Sequence, residues 1–398
     1  MVDLFATNGD DVAPAREAVI VATARTPIGR AHKGSLRQAR PDDLAGFAIA
    51  QALGKVPAVT PDQIGDVIVG TANPAGEQGL NVGRLAALLA GLPDTVTGTT
   101  VSRGCASSLD AIRIAANAIV AGEGDVYVAG GVESVSRTSS AHIDDAAMNP
   151  RFGTDPLPDA YVTMGRTAEN VADQFDISRA RMDEYAKLSQ DRAVAARDRG
   201  FFAREISPYR LDDGTLVEQD DCPRANVDLD VLAGLPTPFK VDGRVTPGNS
   251  CPLNDGAAAV VVMSAERARD LGIQPLARIL GCATTGLAPE IMGVGPIEAV
   301  RRLLDRTGLA IRDVDVLELN EAFAAQVLAV VDALKISVED QLNPHGGGIA
   351  LGHPFGMTGA RIMTTLLNGL EATGGTVGVE TMCVGGGQGM AMAVERMA

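Results

Sequence analysis

The chain has 398 residues, of which 46% are hydrophobic and 21% charged, with a formal net charge of −16. That length exceeds one ordinary hydrophobic core and calls for two or three domains. The acidic balance argues against non-specific nucleic-acid binding and against docking on an anionic membrane surface, but leaves room for a phosphorylated small ligand held by local Arg/Lys side chains or backbone amides.

No apolar run is long enough to span a membrane. Residues 1–17 carry Asp3, Asp10 and Asp11 and lack both a basic and an apolar stretch, so they read as a flexible tail and not as a signal peptide. Cys105, Cys222, Cys251, Cys282 and Cys383 stand too far apart for a disulfide framework or a CxxC metal site. A reduced, cytoplasmic setting without a metal follows.

Residues 18–22 form a short apolar strand turned by Arg25 to Gly29. Pro41 starts a helix with Leu44, Phe47, Ala48 and Ala52 on one face. Residues 66–70 are a second strand, and residues 81–90 a helix stopped by Gly91. A β-branched run then ends in Arg103-Gly104, and Cys105 opens a segment with Leu109, Ile112, Ala116 and Ile119 at helical spacing, stopped by Gly122. Residues 125–129 are the next strand. Short apolar strands alternating with helices predict a parallel sheet covered on both sides. From 136 the chain becomes richer in Asp, Arg and Pro, and one long amphipathic helix, capped by Ser178, runs to Gly200. Strands follow at 257–263, from 277, at 315–319, at 376–382 and at 390–394, with helices opened by Pro296 and marked by Ile362, Leu366 and Leu370.

The two ends of the chain resemble each other. Residues 65–71 line up with 314–320, Cys105 with His353, and 128–131 with 383–386. The organisation read from this is an α/β half at 18–135, an inserted loop subdomain at 136–250, a return to the first half at 251–275, and a second α/β half at 276–398. Pseudo-twofold packing of the halves would bring Cys105 near His353, Asn320 and Cys383, each in a turn or at a strand's C-terminal end. The insertion is either a place of ligand contacts or a decoration.

Two chemistries compete at Cys105. In a helix's first turn the dipole and unpaired amides favour the nucleophilic thiolate; a free cysteine is otherwise a small buried hydrophobe. His353, set in the glycine-rich run 346–352, is either a base for that thiol or a structural histidine of a tight turn. His32 and His142 have polar neighbours and read as surface residues. The glycines after Cys383 allow main-chain N–H groups to approach a ligand closely, as an oxyanion site needs.

With these residues in view, the chain resembles the thiolases over nearly its full length. The matching motifs are Ser102-Arg103-Gly104-Cys105-Ala106-Ser107-Ser108-Leu109, Gly248-Asn249-Ser250 with Asn254-Asp255-Gly256, Asn320-Glu321-Ala322-Phe323-Ala324, Gly352-His353-Pro354 through Gly359, and Cys383 through Gly389. The resemblance implies a duplicated five-layer α/β/α/β/α fold with an inserted loop subdomain. It implies that Cys105 carries the acyl group, that His353 activates it, and that Cys383 moves the proton at C2 of the acetyl unit. Asn320 would hold a water in one oxyanion site, and the amides of Cys105 and Gly385 would form the other. Met164 and Ser250 would lie beside the pantetheine of CoA, and Arg224 near its nucleotide end. CoA would be a cosubstrate and no cofactor would be resident.

Gly104 stands where such proteins commonly carry a bulkier residue. Asn343-Pro344-His345-Gly346-Gly347 resembles the degradative 3-ketoacyl-CoA type more than the biosynthetic acetoacetyl-CoA type. The expected activity is therefore thiolysis of 3-ketoacyl-CoA in β-oxidation. The alternatives are acetoacetyl-CoA synthesis and non-catalytic acyl-CoA binding. Expected partners are acyl-CoA and CoA, a second copy in a homodimer or homotetramer, and a β-oxidation partner subunit.

Overall fold

A computed structural model describes residues 16–138 and 148–397. Nearly all of the expected tail, and His142, lie outside the described residues. The apolar runs become strands: β1 (Ala18–Arg25), β2 (Ile64–Gly70), β3 (Gly98–Val101), β4 (Val126–Ser134) and β5 (Asn254–Ser264) in the first half, and β6 (Ala277–Gly286), β7 (Val316–Leu319), β8 (Val377–Val384) and β9 (Gln388–Arg396) in the second. The main helices are α1 (Pro41–Gly54), α2 (Val82–Leu89), α3 (Ser107–Ala121), α4 (Met164–Gln174), α5 (Arg179–Asp198), α6 (Gly295–Thr307), α7 (Ala324–Leu334) and α8 (Thr358–Thr373). Local signals set their ends. Gly122 and Gly308 take left-handed C-terminal caps, and the side chains of Asn81 and Ser178 accept amide hydrogens at the starts of α2 and α5. The insertion holds α4 as well as the single long helix that was expected.

The strands run in the order β7-β8-β9-β6-β1-β5-β4-β2-β3. The sheet is mixed, not parallel as expected. Pairs β2/β3, β2/β4 and β7/β8 are parallel, whereas β4/β5, β5/β1, β1/β6, β6/β9 and β9/β8 are antiparallel. The reason lies in the connections. A tight turn through Gly385 to Gly387 can only return the chain antiparallel, and β5 makes the equivalent return after the insertion. The halves meet where β1 pairs β6 through Val19–Arg278 and Ile20–Ala277.

Both halves repeat one plan. Val67 pairs with Val128 in the first, and Val316 with Gly378 in the second. Strands β4 and β8 are thus equivalent with Val128 matching Gly378, five residues from the Cys383 suggested by the shared Gly-Gly. That dipeptide misled because Gly130 and Gly131 lie within β4, which runs on to Ser134, while Gly385 and Gly386 lie in a turn.

Alternating side chains along the strands separate three large apolar clusters. One face of the first half packs on α1 and α2, through residues such as Val19, Val67, Leu44 and Ala86. One face of the second half packs on α6, α7 and α5. The remaining faces of both halves share one cluster with α3 and α8, including Leu109, Ile112, Met363 and Leu366. The order is α1/α2, sheet, α3/α8, sheet, α6/α7, which is the expected five-layer α/β fold.

The two central helices touch closely at their N-terminal ends. Ala360 N donates to Ser108 Oγ at 2.9 Å. A Cβ added to Gly359 would meet Leu109 Cβ at 2.7 Å. Gly359→Ala is expected to destabilise the protein by about 1–3 kcal/mol through overpacking. Thermal unfolding with a wild-type transition would show that this contact is loose.

Candidate active site

Cys105 follows β3 in a turn that Ser107 closes. The Ser107 hydroxyl donates to the Gly104 carbonyl at 2.6 Å and accepts the Arg103 amide at 2.9 Å. Gly104 has φ +49°, and a Cβ there would lie 3.2 Å from Val384 Cγ1, so the turn favours glycine on both backbone and packing grounds. Helix α3 begins at Ser107 with Ala106 as its N-cap. Cys105 therefore lies just before the helix, not in its first turn. Burial pushes its thiol up to about 12, against the amides of Gly385 and Cys105 itself, which pull it down. Of the two readings, desolvation favours the thiol, because it outweighs the pull of the amide dipoles.

His353 is buried. Its Nδ1 lies 2.6 Å from Thr358 Oγ1, and that hydroxyl lies 2.7 Å from the Pro354 carbonyl. A hydroxyl has one hydrogen, so donating it to the carbonyl leaves Thr358 to accept Nδ1–H. This assigns the tautomer with an open Nε2, to which Asn320 Nδ2 donates at 3.2 Å. The His353 amide donates to Asn254 Oδ1 at 2.9 Å. Burial, with Arg361 adding to it, pushes His353 down to about 3. Burial thus opposes charge on both groups and favours a thiol and a neutral imidazole at rest.

Asn320 directly follows β7, its amide bonded to the Thr381 carbonyl at 3.0 Å. Its Oδ1 is buried and has no partner among the described residues. Cys383 lies inside β8, near its end, and not beyond the strand. Burial raises its thiol well above the ordinary range, and Cys105 and Cys251 add to the rise. Met164, the first residue of α4, packs in one apolar cluster with Cys383, Phe323 and Ala322. Its Sδ lies 3.5 Å from the position of a Cβ on Gly385.

Two expected CoA contacts fare differently. The Ser250 hydroxyl donates to the Thr246 carbonyl at 2.7 Å, which leaves its lone pairs for a donor on a ligand. The neighbouring Cys251 is half-buried and electrostatically coupled to Cys105, and its amide donates to the Ala322 carbonyl at 3.0 Å. Sequence reasoning named Cys251 without giving it a role, because its neighbourhood with the other thiols is tertiary. Arg224 is exposed. Its amide donates to Gln190 Oε1 at 2.7 Å, and its side chain makes no hydrogen bond or ion pair with the other candidate residues. His32 is exposed as expected, and His345 is buried, with Arg199 at its Nδ1. Glu321, quoted in its motif without a role, is fully buried beside Asn320 and bonded to α5.

No group of three or more His, Cys, Asp or Glu side chains among the described residues could hold a metal. The arrangement joins a thiol, a neutral base, a second buried thiol, an amide donor at the first thiol and an unpaired amide oxygen. This is a constellation for acyl transfer through a thioester.

The sequence matches the family models described as thiolase, N-terminal domain, over residues 18–266, and thiolase, C-terminal domain, over residues 273–396. A beta-ketoadipyl-CoA thiolase of Pseudomonas putida is 45% identical over 400 residues, covering 96% of this chain and 100% of the relative. A 3-ketoacyl-CoA thiolase of Saccharophagus degradans is 44% identical over 390 residues, covering 96% of this chain and 99% of the relative. The solved acetyl-CoA acetyltransferase of Bacillus anthracis superposes with a TM-score of 0.88 at 38% identity, covering 96% of this chain and 99% of that one.

The raised thiol predicts that alkylation of Cys105 by iodoacetamide climbs with pH beyond about 9, where an ordinary thiol levels off. A plateau near the ordinary range would refute the burial argument. Thr358→Val, which leaves Nδ1–H without an acceptor, is expected to lower kcat by about 10–100-fold. A wild-type kcat would overturn the tautomer.

Proposed function

The chain belongs to the thiolase family, and from that premise we propose that it is a degradative 3-ketoacyl-CoA thiolase working through an acyl group on Cys105. The carrying observation is a half-buried thiol bonded to the Gly385 amide in a site with the His353–Asn320 pair and the buried thiol of Cys383. His353 Nε2 takes the Cys105 proton, and the thiolate attacks the keto carbon at C3. The amides of Cys105 and Gly385 hold the resulting oxyanion. The C2–C3 bond breaks, and its electron pair becomes the enolate of acetyl-CoA. That oxygen is held by the new His353 N–H and by a water on Asn320. Cys383 gives its proton to C2. It then takes the proton of an incoming CoA thiol, whose sulfur attacks the acyl carbon. The Cys105 sulfur leaves and recovers its proton from His353.

Met164 and Ser250 line the pantetheine path on this reading, and Arg224 serves the nucleotide end. CoA is a cosubstrate, and no resident cofactor is called for. The names of several relatives support a 3-ketoacyl-CoA with a distal carboxylate, such as the six-carbon 3-oxoadipyl ester, as the substrate. Five free cysteines support a reducing, cytoplasmic compartment. Strand β3 is an open sheet edge beside α2, which exposes Leu85, Leu88 and Leu89. An unpaired edge next to an apolar face supports assembly of at least two copies.

The test is CoA-dependent loss of the 3-ketoacyl-CoA enolate absorbance with four-carbon, sixteen-carbon and 3-oxoadipyl substrates. The 3-oxoadipyl ester is expected to be cleaved fastest, and Cys105→Ala to abolish turnover. Cleavage of the four-carbon ester alone would favour the acetoacetyl-CoA enzyme. Cleavage that survives Cys105→Ala would end the covalent mechanism.

A further inference from the structure

Asn320 and Glu321 are adjacent, buried and opposite in their hydrogen bonding. The Asn320 Oδ1 has no partner among the described residues. Every acceptor position of the Glu321 carboxylate is used. Oε1 accepts from the Tyr185 hydroxyl at 2.7 Å and Asn343 Nδ2 at 2.8 Å. Oε2 accepts from the Ser189 hydroxyl at 2.6 Å and the Ile349 amide at 3.1 Å. Four donors saturate a carboxylate.

These donors come from three places. Tyr185 and Ser189 belong to α5 of the insertion. Asn343 also grips the end of β7, accepting the Leu319 amide at 2.8 Å and donating to the Leu319 carbonyl at 2.9 Å. Ile349 lies in the short helix Gly348–Leu351, which leads directly to Gly352 and His353. The carboxylate therefore joins the two stretches that carry Asn320 and His353, and fastens both to the insertion.

We propose that Glu321 is a positioning residue, a saturated hydrogen-bond hub that holds Asn320 and the approach to His353 in reactive register. This rests on the thiolase reading for its kinetic test, and the alkylation test below does not. Glutamine at 321 keeps the shape but sets an NH2 against N–H donors that cannot reverse. Glu321→Gln is expected to lower kcat by about 100-fold, the effect of a displacement on the order of 1 Å. KM should stay unchanged, since the loss falls on the transition state and not on substrate binding. Tyr185→Phe and Ser189→Ala each remove one donor and should give smaller losses of the same kind.

The rate of Cys105 alkylation by iodoacetamide, read on its tryptic peptide, should fall in the same order, because His353 then sits less well to take the thiol proton. A folded Glu321→Gln protein with wild-type kcat and alkylation rate would overturn the proposal. So would wild-type kcat in both Tyr185→Phe and Ser189→Ala, should Glu321→Gln fail to fold. A lower melting temperature with kcat unchanged would mark the hub as structural only and likewise overturn it. If the wild type cleaves no 3-ketoacyl-CoA, the thiolase reading fails by itself, and the alkylation series still decides the role of Glu321.

Discussion

The close contact between α3 and α8 in the middle layer is the constraint on which the rest depends. Each helix comes from one half of the duplication, and each begins just after a candidate catalytic residue. Their packing at Ser108, Leu109, Gly359 and Ala360 leaves no side-chain spacer between the two N-terminal ends. The turns that carry Cys105 and His353 thus precede two helices, one from each half, that pack end to end at their starts. The apolar cluster that spans both half-sheets stabilises this arrangement through burial, at roughly 25 cal/mol per Å² removed from water. Duplication explains why the site lies between the halves and belongs to neither.

Desolvation sets the electrostatics of that site. It raises the three thiols and lowers the imidazole, so the resting centre is neutral although the chain carries −16 overall. Burial makes amide dipoles effective, because a charge formed in a low-dielectric site has less solvent to compete for it. The surrounding charges are buried too. Arg25 bonds Glu205 Oε2 at 2.9 Å and both oxygens of Asp220, which fastens the insertion to β1. Arg361 is buried without a hydrogen-bond partner among the described residues, facing Glu318 and Glu380, whose carboxyls burial pushes up. Its positive field reaches His353 and helps keep that ring uncharged.

The insertion is fastened to both halves of the duplication. It is tied to the first half through Arg25 and to the second through Glu321. It also supplies Met164 beside Gly385. Hydrogen bonds shorter than 3 Å from Tyr185, Ser189 and Asn343 converge on the Glu321 carboxylate beside Asn320.

By itself, the sequence determined what depends on neighbours along the chain. Apolar runs became strands, Pro41 and Ser178 opened helices, and Gly122 and Gly308 closed them, because these are choices of local backbone conformation and patterning. The ordered motifs around Cys105, Asn320, His353 and Cys383 made the family legible, and the internal repeat made the pairing of halves legible. Tertiary structure alone decided the strand directions, the match of Val128 to Gly378, the bond from Ser250 to the Thr246 carbonyl and the nearness of Cys251 to Cys105. It also decided the protonation states, since burial depends on residues hundreds of positions away. A thiol before a helix is a thiolate by local rules. Burial in the folded chain works the other way, because removing charge from water costs more than a few amides return.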